Sequence, residues 1–260
     1  MNTDSHMSIL QSLFTNPALV LKHRNIFLLS HMRANTSLLG HLMGSHPQIE
    51  GYYEMHIAYY GWKSLWRQKY LYLSNHQVKP ESRYMFDKVL HDSHHVHPEL
   101  LARENSRTLM MLRAPEQSIK SLMAMYRQRQ PDLPEATAEG ATRYYVERLA
   151  TLADTAAALG RRFFYLDAEC LVTATAPTLE AMSSWLALDS PIPAHYNTFS
   201  NTGRGNTGDD SSRLKSGRVN VAMRDYSDIS VPADLVQAAD AAYRLQRDKL
   251  VALSDRCVLV

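Results

Sequence analysis

The chain has little cysteine. Cys170 and Cys257 are the only two, and no C-x-x-C pair exists, so neither a disulfide framework nor a cysteine metal site is indicated and a reducing cytoplasm is the expected location. Long apolar runs are also missing, which predicts no membrane span. The first residues lack the basic-then-apolar pattern of a signal peptide. Together these absences indicate a cytoplasmic protein.

An excess of charge of one sign is missing as well. The chain carries 28 Lys and Arg against 26 Asp and Glu, a formal net charge of +2, and its basic residues are scattered. Generic nucleic-acid binding is therefore not expected, whereas a local anionic ligand is compatible. The 260 residues are 45% hydrophobic, which predicts a globular chain with one large core. We expect a single domain over residues 8–260, with residues 1–7 as an expression-vector remnant.

The strongest local pattern lies in residues 25–47, NIFLLSHMRANTSLLGHLMGSHP. The apolar run 26–29 predicts a buried strand, and apolar residues recur at helical spacing within 36–44. A sharp strand-to-helix turn leaves the first helical N–H groups unpaired at the positive end of the helix dipole, which makes an anion site. The side chains of Arg33, Thr36 and Ser37 add donors. The alternative is an ordinary turn in which Thr36 caps the helix and Arg33 is solvated.

The pattern of a nucleoside-triphosphate P-loop is absent from this turn. That loop requires G-x-x-x-x-G-K-[ST], and neither its glycines nor its lysine is present in residues 25–47. The absence argues against an ordinary kinase or NTPase.

Strands and helices are predicted to alternate along the rest of the chain. Further strands are expected within 83–91, 107–113 and 162–166, and helices at 62–72, 98–104, 116–130, 138–159, 177–188 and 234–254. This alternation is typical of an α/β fold, here a P-loop-like three-layer α/β/α arrangement with a central parallel sheet.

The ends of these predicted strands carry charged residues. Arg33 follows the first strand, the Asp87-Lys88 pair and His91 lie at the end of the second, and Arg113 ends the third. Ligands of open α/β sheets bind beyond the carboxyl ends of the strands. Three separate strands are therefore expected to deliver cations to one edge of the sheet.

Taken together, these stretches resemble the sulfotransferases that use 3′-phosphoadenosine 5′-phosphosulfate (PAPS). The first resembles the family's 5′-phosphosulfate loop, P-[RK]-S-G-[ST]-[ST]-x-L with a downstream His-Pro, and LMMLRAPEQSIKS resembles its 3′-phosphate motif R-x-P-x-x-x-x-x-S. Three further segments resemble the family's Asp-Lys segment, its Y-E-D-L region and its late glycine-rich loop. The order and separation of all five agree over about residues 25–220, at residues 26–47, 86–92, 109–121, 166–188 and 202–217.

The chain departs from the family pattern at several positions. In the loop, Met32 replaces the proline, Ala34 the serine and Asn35 the glycine. Asparagine tolerates the left-handed backbone conformation better than most residues, so the turn is expected to persist. Ala168 stands in place of the tyrosine of Y-E-D-L and Cys170 in place of its aspartate, which removes the side chain that would contact adenine.

The resemblance implies a role for each phosphate-binding residue. Arg33 would hold the 5′-phosphate and the bridging oxygen, and Thr36 and Ser37 would cradle the same oxygens with the N–H groups of the loop residues Ala34 and Asn35. At the other end of the nucleotide, the 3′-phosphate would be bound by Arg113 and Ser121. The late loop would close over it through Arg204 and Gly205.

The acceptor hydroxyl or amine also needs a base, and three residues are candidates. Glu54 is the first choice, because some members of the family place a glutamate shortly after the His-Pro of the first motif. His91 and His56 are rivals, since imidazole titrates in the useful range. Lys88 would stabilise the sulfuryl oxygens.

No metal is expected. In-line sulfuryl transfer requires mainly positioning and stabilisation of the charge on the leaving oxygen. His94, His95 and His97 lie close together but lack carboxylates at ligand spacing.

The sequence therefore predicts a PAPS-dependent sulfotransferase that acts on a small-molecule or glycan acceptor and releases 3′,5′-bisphosphoadenosine (PAP). One alternative is a non-catalytic nucleotide-binding module that keeps the phosphate sites. Another is a P-loop-like kinase, against which the absent lysine and magnesium-binding pattern speak. A homo-oligomer is left open, and the acceptor is beyond the sequence.

Overall fold

The computed structural model describes residues 17–160, 162–202, 214–220 and 225–260. Within them, strands form one sheet in the order β2-β3-β1-β4-β5-β6, and every pairing is parallel. The strands are β1 (Arg24–Ser30), β2 (Ile49–Glu50), β3 (Tyr84–Val89), β4 (Ser106–Leu112), β5 (Phe163–Asp167) and β6 (Arg256–Val258).

Helices connect these strands. In chain order they are α1 (Thr36–Ser45), α2 (Trp62–Leu73), α3 (Pro98–Leu101), α4 (Pro115–Arg129), α5 (Ala138–Leu159), α6 (Cys170–Thr173), α7 (Thr175–Leu186) and α8 (Ala233–Leu253). No helix among the described residues combines the length and the apolar character that crossing a bilayer requires.

The central strand β1 explains why the fold has three layers. It is buried from Asn25 to Ser30, and its side chains alternate between the two faces of the sheet. Phe27 and Leu29 pack into a cluster that contains apolar residues of α4, α5 and α8. Ile26 and Leu28 pack into a second cluster with residues of α1 and α7. The predicted parallel α/β/α arrangement is confirmed.

Two edge strands and one detail of β3 were not anticipated from the sequence. Strand β2 has two residues and β6 has three, too few for a periodic signal. In β3, Asp87 and Lys88 lie inside the strand, each 1% exposed, and not at its mouth. The flanking buried residues, Phe86 and Val89, extend the strand through the charged pair.

A close backbone approach after β2 positions the segment that carries Glu54. Gly51 has φ +96°, and a Cβ added there would lie 2.3 Å from the carbonyl oxygen of Phe86 in β3. Only glycine allows both that backbone angle and that contact. The segment after Gly51 is thereby held against β3.

We predict that Gly51→Ala lowers the free energy of unfolding by about 2–4 kcal/mol, from overpacking and left-handed strain together. Urea unfolding followed by circular dichroism measures the change. Gly61→Ala is the matched control, because no atom of the described residues lies within 4 Å of a Cβ added there. Equal stability of the two variants would contradict the prediction.

Candidate active site

The loop between β1 and α1 has an unusual backbone. Arg33 has φ 65° and Asn35 has φ 57°, both in the left-handed region that few residues other than glycine adopt. Asn35 thus takes this conformation at the position where the resembled motif has glycine. Its side chain does not cap α1; its Nδ2 instead donates to the carbonyl of Ala168 at 3.2 Å. The turn directs the amino end of α1, with Thr36 and Ser37, to the carboxyl edge of the sheet.

The structure brings residues of the two phosphate motifs together at this edge. Arg33 Nε donates to Ser121 Oγ at 2.8 Å, and Arg113 donates from its guanidinium to the carbonyl of Arg33 at 3.0 Å. The contact exists because β1 pairs directly with β4, so the residues that follow the two strands are neighbours. Arg33 and Arg113 therefore lie on one face of the molecule.

The hydroxyl of Ser121 is arranged as a donor. It is 3% exposed and receives hydrogen bonds from Arg33 and, at 2.7 Å, from the hydroxyl of Tyr226. A serine hydroxyl has two acceptor lone pairs and one hydrogen. With two donors on the oxygen, the hydrogen of the Ser121 hydroxyl takes part in neither of these two bonds.

His31 joins the two motifs through the backbone. Its Nε2 accepts from the N–H of Arg113 at 3.1 Å, and its Nδ1 donates to the carbonyl of Met32 at 2.8 Å. This pattern requires the neutral imidazole. The pKa of His31 is lowered to about 3, mainly by burial; the backbone hydrogen bonds to Met32 and Arg113 oppose this shift, and the charges of Arg113 and Arg148 add to it. His31 is thus a neutral link at physiological pH.

We predict that His31 makes the protein less stable in acid. In the unfolded chain His31 takes up a proton below about pH 6.5, whereas folded His31 does so only near pH 3. Its contribution to stability is therefore full above pH 6.5 and is lost as the pH falls, by about 2 kcal/mol between pH 7.5 and 5.

Urea unfolding of the parent protein and of His31→Gln at these two pH values checks the prediction, because glutamine does not titrate. We expect the loss of stability in acid to be smaller by that amount in the variant. Equal losses in the two proteins would show that His31 titrates normally. Other groups that titrate in this range contribute to both proteins and cancel.

Lys88 reaches the amino end of α1 from β3. Its ammonium lies 3.5 Å from Ser37 Oγ, on the side where the resemblance places the 5′-phosphate. The neighbouring Asp87 has a different task, because its carboxylate accepts from the hydroxyl of Tyr59 at 2.5 Å and from the N–H of Met55 at 3.0 Å. Burial raises the pKa of Asp87 to about 7. These two bonds fasten the segment that follows Glu54 to β3.

The three candidate bases lie near one another. Glu54 is 7% exposed, and its Oε1 lies 3.8 Å from Nδ1 of His56. That oxygen is buried and has no hydrogen-bond partner among the residues that the structure describes. Burial lowers the pKa of His91, and the charge of Glu54 partly offsets that effect. The structure therefore places His56 beside the carboxylate of Glu54, and the charge of that carboxylate also acts on His91.

Helix α5 supplies residues that the sequence reasoning missed. The hydroxyl of Tyr144 accepts from the N–H of Met32 at 2.8 Å and donates to the carbonyl of Leu90 at 2.9 Å. Arg148 donates to the carbonyls of Ser30 and Val89 at 2.9 and 2.7 Å. Both residues tie the end of β1 to the end of β3. Their i, i+4 spacing on a helix was a signal that they share a face.

Two predicted site residues, Arg204 and Gly205, lie outside the described residues. Of the others, Ala34 is buried and Asn35 half-buried in the loop. Ala168, where the family has tyrosine, lies next to Asn35 and is buried.

Solved structures resemble this chain, whereas the two sequence comparisons found no match. No family model matches the sequence, and no curated protein matches it either. Two solved structures are similar over most of both chains. The first is the sulfotransferase domain from the curacin biosynthetic pathway, with a TM-score of 0.60 and 16% identity, covering 87% of this chain and 98% of that domain. The second is the sulfotransferase domain from the Synechococcus PCC 7002 olefin synthase, with a TM-score of 0.53 and 18% identity, covering 85% and 96%.

The chain has the sulfotransferase fold. In this sulfotransferase fold, the loop after β1 and the end of β4 adjoin each other because their strands pair. Tyr226, buried at 7% exposure, joins them from a later segment that carried no motif. The sulfotransferase fold thus explains why the charged residues predicted at the ends of β1 and β4 lie next to each other.

Proposed function

We propose that the protein is a PAPS-dependent sulfotransferase that transfers the sulfuryl group to a hydroxyl or amine of a small-molecule or glycan acceptor. The fold supports this proposal. The observation that carries it is that Arg33 meets both Ser121 and Arg113 at the carboxyl edge of the sheet. Its Nε lies 2.8 Å from Ser121 Oγ, and its carbonyl oxygen lies 3.0 Å from the guanidinium of Arg113. Two guanidinium groups and a donating hydroxyl are suited to phosphate oxygens.

The residues present fit such a nucleotide at two ends. Arg113 and Ser121 would bind its 3′-phosphate, and Arg33 with the amino end of α1 would hold the 5′-phosphate. Lys88 beside Ser37 would stabilise charge on the sulfuryl oxygens. A helix amino terminus and three cations cover both anionic groups, so no metal is needed to neutralise them.

Glu54 would then serve as the base. Its buried Oε1, which hydrogen-bonds to none of the described residues, would accept the proton of the acceptor. At the same time the acceptor oxygen or nitrogen bonds to sulfur, and the bond from sulfur to the phosphate oxygen breaks. Arg33 would stabilise the charge that develops on that leaving oxygen. The products are the sulfated acceptor and PAP, with the proton on Glu54.

Two measurements test the proposal. Calorimetric titration with PAP and with ATP should show binding of PAP and none, or far weaker binding, of ATP; the reverse order would favour a kinase. Turnover of labelled PAPS against a panel of hydroxyl and amine acceptors should give a sulfated product. Binding of PAP without any turnover would instead support the non-catalytic module.

A further inference from the structure

Three side chains near the end of β3 form a cluster with the composition of a metal site. Glu54, His56 and His94 each offer one ligand atom, and these atoms all lie within 4.8 Å of one another. The rings of His56 and His94 have centroids 5.6 Å apart. We propose that these three residues bind a divalent transition-metal ion of the zinc class.

The buried carboxylate is the observation that points to a ligand. Oε1 of Glu54 is buried, lies 3.8 Å from Nδ1 of His56 and has no hydrogen-bond partner within the described part of the chain. A buried carboxylate oxygen without a partner is costly. A cation held between it and the two imidazoles would remove that cost.

The donor set fits the ion. Two imidazoles and one carboxylate are ligands that zinc and its neighbours accept, with a remaining position for water. Bonds of about 2.0–2.2 Å place tetrahedral ligand atoms about 3.4 Å apart. The cluster is somewhat wider than that, and the two histidines are exposed or half-exposed, so rotation of their side chains closes the difference.

The backbone holds the two ligand segments in place. Residues 54–59 and 94–97 come from separate parts of the chain and are joined by a parallel bridge between Tyr59 and Val96. The N–H of Tyr59 donates to the carbonyl of His95 at 2.7 Å, and the N–H of His97 to that of Tyr59 at 2.8 Å. From the sequence, no metal was expected because His94, His95 and His97 were the only ligand candidates weighed. The fold adds a carboxylate and a histidine that the sequence spacing does not connect to them.

A bound ion would also act on the reaction, an effect that rests on the proposed function. It would occupy the carboxylate assigned as the base and so oppose removal of the acceptor proton. We therefore expect the ion to inhibit turnover.

Direct binding of Co²⁺ and Zn²⁺ tests the site without any nucleotide. The full chain is stripped with a chelator, dialysed and titrated with Co²⁺ by visible absorption, and Zn²⁺ then displaces it. We expect one ion per chain. His94→Ala should weaken binding by at least about tenfold, whereas His95→Ala is the matched control, because its exposed ring packs on Tyr60 away from the cluster.

Absence of binding to the parent protein would overturn the proposal, as would unchanged affinity in His94→Ala or an equal loss in His95→Ala. Glu54→Gln is the second variant, and it should weaken binding by a similar factor. Circular dichroism of each variant shows that it is folded. Since no nucleotide is present, this result stands whether or not PAPS is the donor; if turnover is found, Zn²⁺ should inhibit the parent protein more than His94→Ala.

Discussion

Arg113→Ala is expected to weaken the binding of PAP by about 1.5–3 kcal/mol, or about 10- to 160-fold. The proposed 3′-phosphate would lose its hydrogen bonds to the charged guanidinium of Arg113, which lies next to Arg33. Part of the loss would be indirect, because the same guanidinium donates to the carbonyl of Arg33 and steadies the loop. Isothermal calorimetry with PAP measures the change.

The 3′-phosphate assignment can be separated from a general loss of positive charge. Adenosine 5′-monophosphate lacks the 3′-phosphate, so its affinity should change much less than that of PAP in Arg113→Ala. Arg103→Ala is the control, since Arg103 is exposed and precedes β4 at the opposite end of the strand. An unchanged affinity for PAP, or an equal loss for both nucleotides, would refute the assignment.

The location of the candidate site was predictable, because all parallel strands of a sheet have their carboxyl ends at the same edge. Arg33 and Arg113 each follow an apolar run that predicts such a strand, so both could be assigned to that edge. Strand order was not predictable in this way. The direct contact between the two residues depends on the pairing of β1 with β4, which no local pattern in the sequence encodes.

The supporting residues were harder to find, because their partners are mostly backbone groups. Tyr144 and Arg148 bind carbonyl and N–H groups at the ends of β1 and β3. Such bonds depend on where a helix packs and leave no motif. Tyr226 is similar: it lies outside any helix or strand, and its partner Ser121 is 105 positions away. His31 was visible in the first motif, but its link to Arg113 exists only in the folded chain.

The prediction for two charged residues was wrong for a related reason. The sequence analysis placed Asp87 and Lys88 at the mouth of a strand, and charged residues are seldom buried. Both are buried inside β3, where Asp87 is satisfied by three donors, among them the hydroxyl of Tyr59. Burial of a charge is tolerated where its hydrogen bonds are supplied, and two of these three donors, Met55 and Tyr59, come from another segment.

Glu54→Gln is expected to reduce turnover by about 10²-fold or more, the scale of general base catalysis, and to leave the affinity for PAP unchanged. Glutamine keeps the size and most of the hydrogen bonding of glutamate but cannot take the acceptor proton. Turnover is measured with labelled PAPS in the presence of a chelator, so that metal bound at the same carboxylate does not contribute. Glu104→Gln, which neutralises an exposed carboxylate, is the matched control.

The same variant reports on the position of Glu54 independently of catalysis. The charge of Glu54 raises the pKa of His91 against the lowering by burial, so its removal should lower that pKa further. Titration of the His91 ring by nuclear magnetic resonance measures this shift. A lowered pKa with normal turnover would keep the geometry and move the base to His91 or His56. An unchanged pKa would instead show that the carboxylate does not face this site, and with it the assignment of Glu54 as the base would fail.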